Sequence, residues 1–162
     1  MESGPESTAL EDFMKRVILV CDASRARLFV SVGRHEPLQL LRQEDNPAGR
    51  ATEQELRTDE PGRYRKGGQA AALSAMDPHT TAHEVESEKF ARHLAAELKK
   101  LFDNHEYDSL VIAAPPHLLG LLRDSLSSEV RHILKSSVAK DLTHMDEREL
   151  REEVGPILWP GS

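Results

Sequence analysis

Apolar and polar positions follow three rhythms along this chain. Arg16-Val-Ile-Leu-Val-Cys21 is a continuous apolar run of strand length flanked by charge, which predicts a central strand buried on both faces. From Ala26 to Val32 the rhythm becomes period two: Ala26, Leu28, Val30 and Val32 alternate with Arg27, Phe29 and Ser31, the pattern of a second strand. Asp22-Ala-Ser-Arg25 supplies turn residues between them, Gly33 to Glu36 supplies a second turn, and Pro37 to Gln43 reads as a third strand. Connections this short imply an antiparallel meander.

A helical period takes over from Thr81 to His105. Thr81-Ala-His-Glu84 has capping-box spacing, and Phe90, Leu94, Leu98, Leu101 and Phe102 share one face. Such a helix runs on the order of 35 Å, enough to cross a sheet. Ser109-Leu-Val-Ile-Ala-Ala114 is a second buried strand. Pro115-Pro116 ends it and opens a helix carrying Leu118, Leu119, Leu122 and Leu126, in which Gly120 is expected to mark a close contact. A weaker strand is expected around Ile133 to Ala139. A last helix follows from Asp146 to Val154, with Thr143 or Asp146 as cap and Gly155 as stop, and Pro156 to Gly161 trails away.

Three meander strands, then helix, strand, helix, strand and helix, describe an α/β fold with a mixed five-stranded sheet. Three strands are antiparallel, two are parallel, and helices cover the faces: the ribonuclease-H-like arrangement. The expected organisation is a polar N-terminal tail over 1–14, one domain over 15–154, and a C-terminal tail over 155–162. Within that domain residues 45–79 read as one long loop rich in Gly, Pro, Arg and Glu, of a size that is usually functional.

Composition narrows the chemistry. The 162 residues carry a formal charge of −7, so any contact with nucleic acid must come from a local basic patch. Aromatics make up only 4%, leaving a core of Leu, Val, Ile and Ala. Cys21 is the sole cysteine, which excludes an internal disulfide and a multi-cysteine zinc site; its apolar surroundings predict an inert buried thiol. No secretory apolar region and no apolar run approaching 18 residues is present, so a soluble cytoplasmic protein without membrane contact is expected.

The long loop holds the stretch with most chemical character, Gly62-Arg-Tyr-Arg-Lys-Gly-Gly-Gln-Ala-Ala-Ala-Leu73. Gly67 and Gly68 permit backbone angles closed to other residues, so main chain there can approach a ligand closely. Gln69 adds an amide that both donates and accepts, and Arg63, Arg65 and Lys66 precede it with no acid between Pro61 and Met76. A basic, glycine-flexed tip ending in an amide suits a phosphate-lined cavity. As a surface turn that merely spells these letters, a chance Gly-Gly-Gln in this length is expected at roughly a few per cent.

Residues 15 to 153 resemble the bacterial proteins required for attachment to host cells. The residues carrying this are Asp22-Ala23 with Arg25-Ala-Arg27, Asn46-Pro47, Asp59 with Pro61-Gly62-Arg63, Asp77-Pro78-His79, Phe90-Ala91-Arg92, Ala114-Pro-Pro116 with Leu119-Gly120, and Lys140-Asp-Leu-Thr143. That family is similar in turn to the middle domain of eukaryotic and archaeal class 1 translation release factors, whose long loop ends in Gly-Gly-Gln and enters the peptidyl-transferase centre. The resemblance implies that Gly67, Gly68 and Gln69 act on the ester joining a nascent peptide to tRNA, with Arg63, Arg65 and Lys66 meeting RNA. It implies ribosome and tRNA as partners, and no cofactor. These residues contain no counterpart of the stop-codon-reading domain or of the domain that meets a partner GTPase. A lone middle domain fits ribosome rescue or hydrolysis of stranded peptidyl-tRNA, or equally a non-catalytic module that binds ribosome, tRNA or another protein.

Other chemistries find less support. A two-metal nuclease needs converging carboxylates; Asp22 and Glu88 are candidates, but the fourth strand ends in Ala113-Ala114-Pro115 without an acid, and Asp22 is better read as a turn residue accepting backbone N–H bonds. His79 and His83, four apart, and His93 lack a completing ligand, and no metal is expected. There is no Gly-x-Ser-x-Gly elbow and no phosphate-binding glycine loop. Trp159, the only tryptophan, either folds back on the sheet or docks on a partner.

Overall fold

The computed structural model describes residues 14–56 and 78–161, without the side chain of His79. The strands are β1 (Arg16–Asp22), β2 (Arg25–Ser31), β3 (Gln39–Asp45), β4 (Ser109–Ala113) and β5 (Leu134–Val138). They form one sheet in the order β3-β2-β1-β4-β5, with β1, β2 and β3 antiparallel and β4 and β5 parallel to β1. This is the mixed ribonuclease-H-like sheet expected from the order of elements.

The helices are α1 (residues 47–56), α2 (Pro78–Asp103), α3 (Pro116–Ser125), α4 (Ser128–His132) and α5 (Glu147–Leu158). They sort to opposite faces because the central strands are apolar on both sides. Val17, Leu19 and Cys21 of β1 with Leu110 and Ile112 of β4 pack under Phe90, Leu94, Leu98 and Leu101 of α2, Leu118 and Leu122 of α3, and Val130 of α4. Ile18, Val20, Val111 and Ala113 point the other way, onto Leu150, Val154 and Leu158 of α5 and onto Leu142. β2 is apolar throughout on the α2 side, whereas on the other side only Phe29 joins the core. Its other face carries Arg25, Arg27 and Ser31, paired in register with Asp22, Val20 and Arg16.

Several boundaries differ from expectation, each for a physical reason. The stretch read as one loop from 45 is helical over 47–56, started by Asn46-Pro47: Arg50 N donates to the Asn46 carbonyl at 3.1 Å, and proline suits the first helical turn. α2 begins at Pro78 instead of Thr81, so the expected capping box at Thr81 lies inside the helix. Its end is a Schellman motif, with Glu106 N on Leu101 O and His105 N on Phe102 O (both 2.9 Å) and His105 at φ 60°. Tyr107 then folds back, its hydroxyl donating to Leu98 O at 2.7 Å.

The last helix is also longer than expected. Asp146 is its cap, in a reciprocal box with Glu149, and Gly155 does not stop it: α5 continues through Pro156 to Leu158. A proline inside a helix costs about 3 kcal/mol. The cost is met by packing, since Leu158 is buried, its carbonyl accepts from Arg16 Nη1 at 2.6 Å, and the Arg16 guanidinium lies 3.9 Å from the centroid of the Trp159 ring. Trp159 Nε1 donates to Ser31 Oγ at 2.8 Å. The segment expected as a tail from 155 is therefore the closing turn of the domain, and Trp159 folds back on the sheet. Gly120 also differs, since among the described residues no heavy atom lies within 4 Å of where its Cβ would stand.

Candidate functional site

Gly67, Gly68 and Gln69, and the basic residues Arg63, Arg65 and Lys66, lie outside the described residues. Their flanks are described, and they meet. Thr52 of α1 and His83 in the second turn of α2 lie across the segment from each other in sequence, yet Thr52 Oγ1 and His83 Nδ1 are 2.9 Å apart. His117, in the first turn of α3, reaches Glu84 of α2 at 2.8 and 3.0 Å. These contacts gather the starts of α2 and α3 and the body of α1 at the carboxyl ends of the parallel strands. In open α/β sheets that end, where the strand order reverses between neighbours, is where ligands bind.

The β1–β2 turn forms the floor of this end. Asp22 Oδ1 accepts from Ser24 N (2.8 Å), Ser24 Oγ (3.0 Å) and Arg25 N (3.0 Å), the turn role expected of it. Its Oδ2 accepts from Thr143 Oγ1 at 3.1 Å. With both oxygens engaged, the carboxylate is a structural acceptor. Arg27, one strand over, donates through Nη2 to Thr143 O, and Thr143 also bonds to Asp141 through its backbone N–H (2.9 Å) and its hydroxyl. The Lys140–Thr143 loop is thus latched onto the ends of β1 and β2.

α1 is seated on the same turn. Asn46 N donates to Ser24 O at 2.8 Å and Asn46 Nδ2 to Ala23 O at 2.9 Å. A Cβ on Gly49 would stand 2.1 Å from Ala23 O and 2.5 Å from Asn46 Nδ2, so only glycine lets the helix come this close. Reading the sequence as a loop missed this seat; the cap residue Asn46 followed by Pro47 was the available signal. Asp22-Ala23, Arg27, Asn46, Asp141 and Thr143, scattered through the chain, therefore converge on one end of the sheet.

The histidines considered as metal ligands separate. His83 turns to Thr52, while His93 pairs with Glu44 of β3; the side chain of His79 lies outside the described residues. Among the described residues no group of three His, Cys, Asp or Glu side chains could hold a metal ion. Cys21 is fully buried, and burial, with the carboxylates of Asp22 and Asp141, pushes its thiol far above the ordinary range, consistent with an inert group. Among the described residues no helix is long and apolar enough to cross a membrane.

An uncharacterized protein of Rickettsia prowazekii (strain Madrid E) is 29% identical over 134 residues, covering 78% of this chain and 83% of that protein. Among solved structures, the archaeal translation termination factor aRF1 superposes with TM-score 0.47 at 12% identity, over 91% of this chain. Saccharomyces cerevisiae Dom34, a translation termination-like factor involved in RNA quality control pathways and interacting with Hbs1, gives TM-score 0.43 at 10% identity, over 94% of this chain. The chain spans only 41% and 39% of those two proteins. The family of proteins required for attachment to host cells matches residues 17–154, from the first buried residue of β1 to the last turns of α5, and the chain belongs to that family.

Proposed function

We propose that this protein is a cytoplasmic, release-factor-like translation protein that acts on ribosome-bound or stranded peptidyl-tRNA through Gly67, Gly68 and Gln69. One observation carries the reading: a Gly-Gly-Gln triplet with a basic approach falls in the segment between α1 and α2, whose flanks are joined at the carboxyl end of the sheet by Thr52 and His83.

In this reading Arg63, Arg65 and Lys66 meet RNA phosphates and bring the tip to the ester. A water attacks the ester carbonyl carbon, the bond to the tRNA 3′-oxygen breaks, and the proton lost by the water ends on that oxygen, leaving a free peptide acid and tRNA. The Gln69 backbone N–H stabilises charge on the leaving oxygen, its side chain shapes the water site, and the two glycines allow the backbone angles this needs.

A peptide-release assay on ribosomes loaded with peptidyl-tRNA tests it. The wild-type chain releases peptide, and Gly68→Ala and Gln69→Ala lower the rate by about 100-fold or more, the scale for losing a preorganised donor. Equal activity in all three proteins, or none in any, overturns hydrolysis. Co-sedimentation of the inactive chain with ribosomes would leave the non-catalytic binding module.

A further inference from the structure

An exposed glycine in the middle of a helix costs about 1 kcal/mol relative to alanine, and a conformational or packing reason usually explains it. Gly120 has neither. Its backbone is ordinary helix, and no described atom lies within 4 Å of where a Cβ would stand. Gly120 instead lines an open depression of about 520 Å³ together with Arg123, Asp124, Arg131 and Leu134, where α3, α4 and β5 meet.

Two features make that depression cationic and preformed. Arg123 stands one turn beyond Gly120 on the same helix face. Arg131 is fixed by Nη2 donating to Arg123 O at 2.7 Å, so its remaining N–H groups are held in place before any ligand arrives. From 116 to 138 the charges are Arg123, Arg131 and Lys135 against Asp124 and Glu129, a net +1, in a chain whose total is −7. A guanidinium fork matches the paired oxygens of a phosphate.

The geometry points to a second RNA contact: the Gly120 depression takes the sugar-phosphate backbone of a single-stranded RNA, with Arg123 and Arg131 on its phosphates and Gly120 leaving room for close approach. This contact goes beyond the Gln69 chemistry, and its choice of RNA as the phosphate ligand rests on that reading.

Fluorescence anisotropy with a labelled single-stranded RNA, over a series of salt concentrations, tests it. The wild-type chain binds, and Gly120→Leu, whose Cβ meets only open space, weakens binding about tenfold with an unchanged or raised melting temperature. Arg123→Gln weakens it similarly and lowers the slope of log K against log[salt] by roughly 0.7, the value for one phosphate contact to a single strand. Asp124→Asn tightens binding. Wild-type affinity retained in both Gly120→Leu and Arg123→Gln overturns the proposal, as does the absence of RNA binding by the wild-type chain at low salt. So does a depression-dependent affinity for polyglutamate in place of RNA.

Discussion

Asp22 and Thr143, 121 residues apart in sequence, meet where the buried Thr143 hydroxyl, shared with Asp141, lies 3.1 Å from Asp22 Oδ2. This contact joins the turn after the first strand to the loop before the last helix, so it can form only once the sheet is assembled. Thr143→Val is expected to lower stability by about 1–2 kcal/mol, the scale for a lost buried bond that leaves an acceptor behind. Asp22→Ala also strands the donors of Ser24 and Arg25 and is expected to cost on the order of 3 kcal/mol. Urea denaturation of both single variants and the double variant measures the coupling. Strictly additive losses would show that the two side chains do not act through one another.

Two helical glycines carry opposite expectations. Gly49→Ala places a methyl carbon 2.1 Å from a backbone carbonyl that cannot move without opening the β1–β2 turn, and is expected to destabilise by about 1–3 kcal/mol. Gly120→Ala meets only open space and raises helix propensity, and is expected to stabilise by about 0.5–1 kcal/mol. Thermal melts of the two variants decide this. Equal signs would mean either that the Gly49 helix does not press on the Ala23 carbonyl or that Gly120 does not face open space.

Much of the fold was legible because local pattern and tertiary role coincide. The unbroken apolar runs of β1 and β4 are what a strand covered on both faces requires, and the spacing from Phe90 to Phe102 is what a helix lying on one face requires. Errors arose where a residue's local preference was overridden from far away. Gly155 and Pro156 are stop residues by propensity, but Arg16 and Ser31, at the other end of the chain, hold the last turn in place. Asn46-Pro47 was a helix start hidden in a stretch of loop-like composition. The turn role of Asp22 could be read from its residue type and position, whereas its meeting with Thr143 depends on topology that no local window contains. Gly67, Gly68 and Gln69 stand out in the sequence, and the pinning of their flanks by Thr52 and His83 came only from the structure.

Trp159 is expected to report on the closing turn. Its ring lies under the Arg16 guanidinium and its indole N–H is bonded to Ser31. Trp159→Ala loses the ring contact, the cation–π attraction and the hydrogen bond, about 2 kcal/mol together for a partly exposed site. Trp159→Phe keeps a ring and is expected to lose about half of that. As the only tryptophan, it gives the wild-type chain an emission spectrum that should shift to the red in step with far-ultraviolet circular dichroism during unfolding. An earlier fluorescence transition would mean that the turn opens independently of the domain.

The buried thiol and phenol make the fold sensitive to alkali. Burial, reinforced by Asp22 and Asp141, raises Cys21 well above the ordinary thiol range, and burial with Asp103 does the same for Tyr107 relative to an ordinary phenol. In both cases the folded chain holds the neutral form while the unfolded chain ionises first as pH rises. Their contribution is therefore complete below the unfolded pKa and declines above it, from about pH 8.5 for the thiol and about pH 10 for the phenol. Denaturation midpoints measured across this range should begin to fall near the first value in the wild-type chain. Cys21→Ala, whatever its starting stability, should hold level until the second. Identical onsets in the two proteins would mean that the Cys21 thiol does not couple folding to pH.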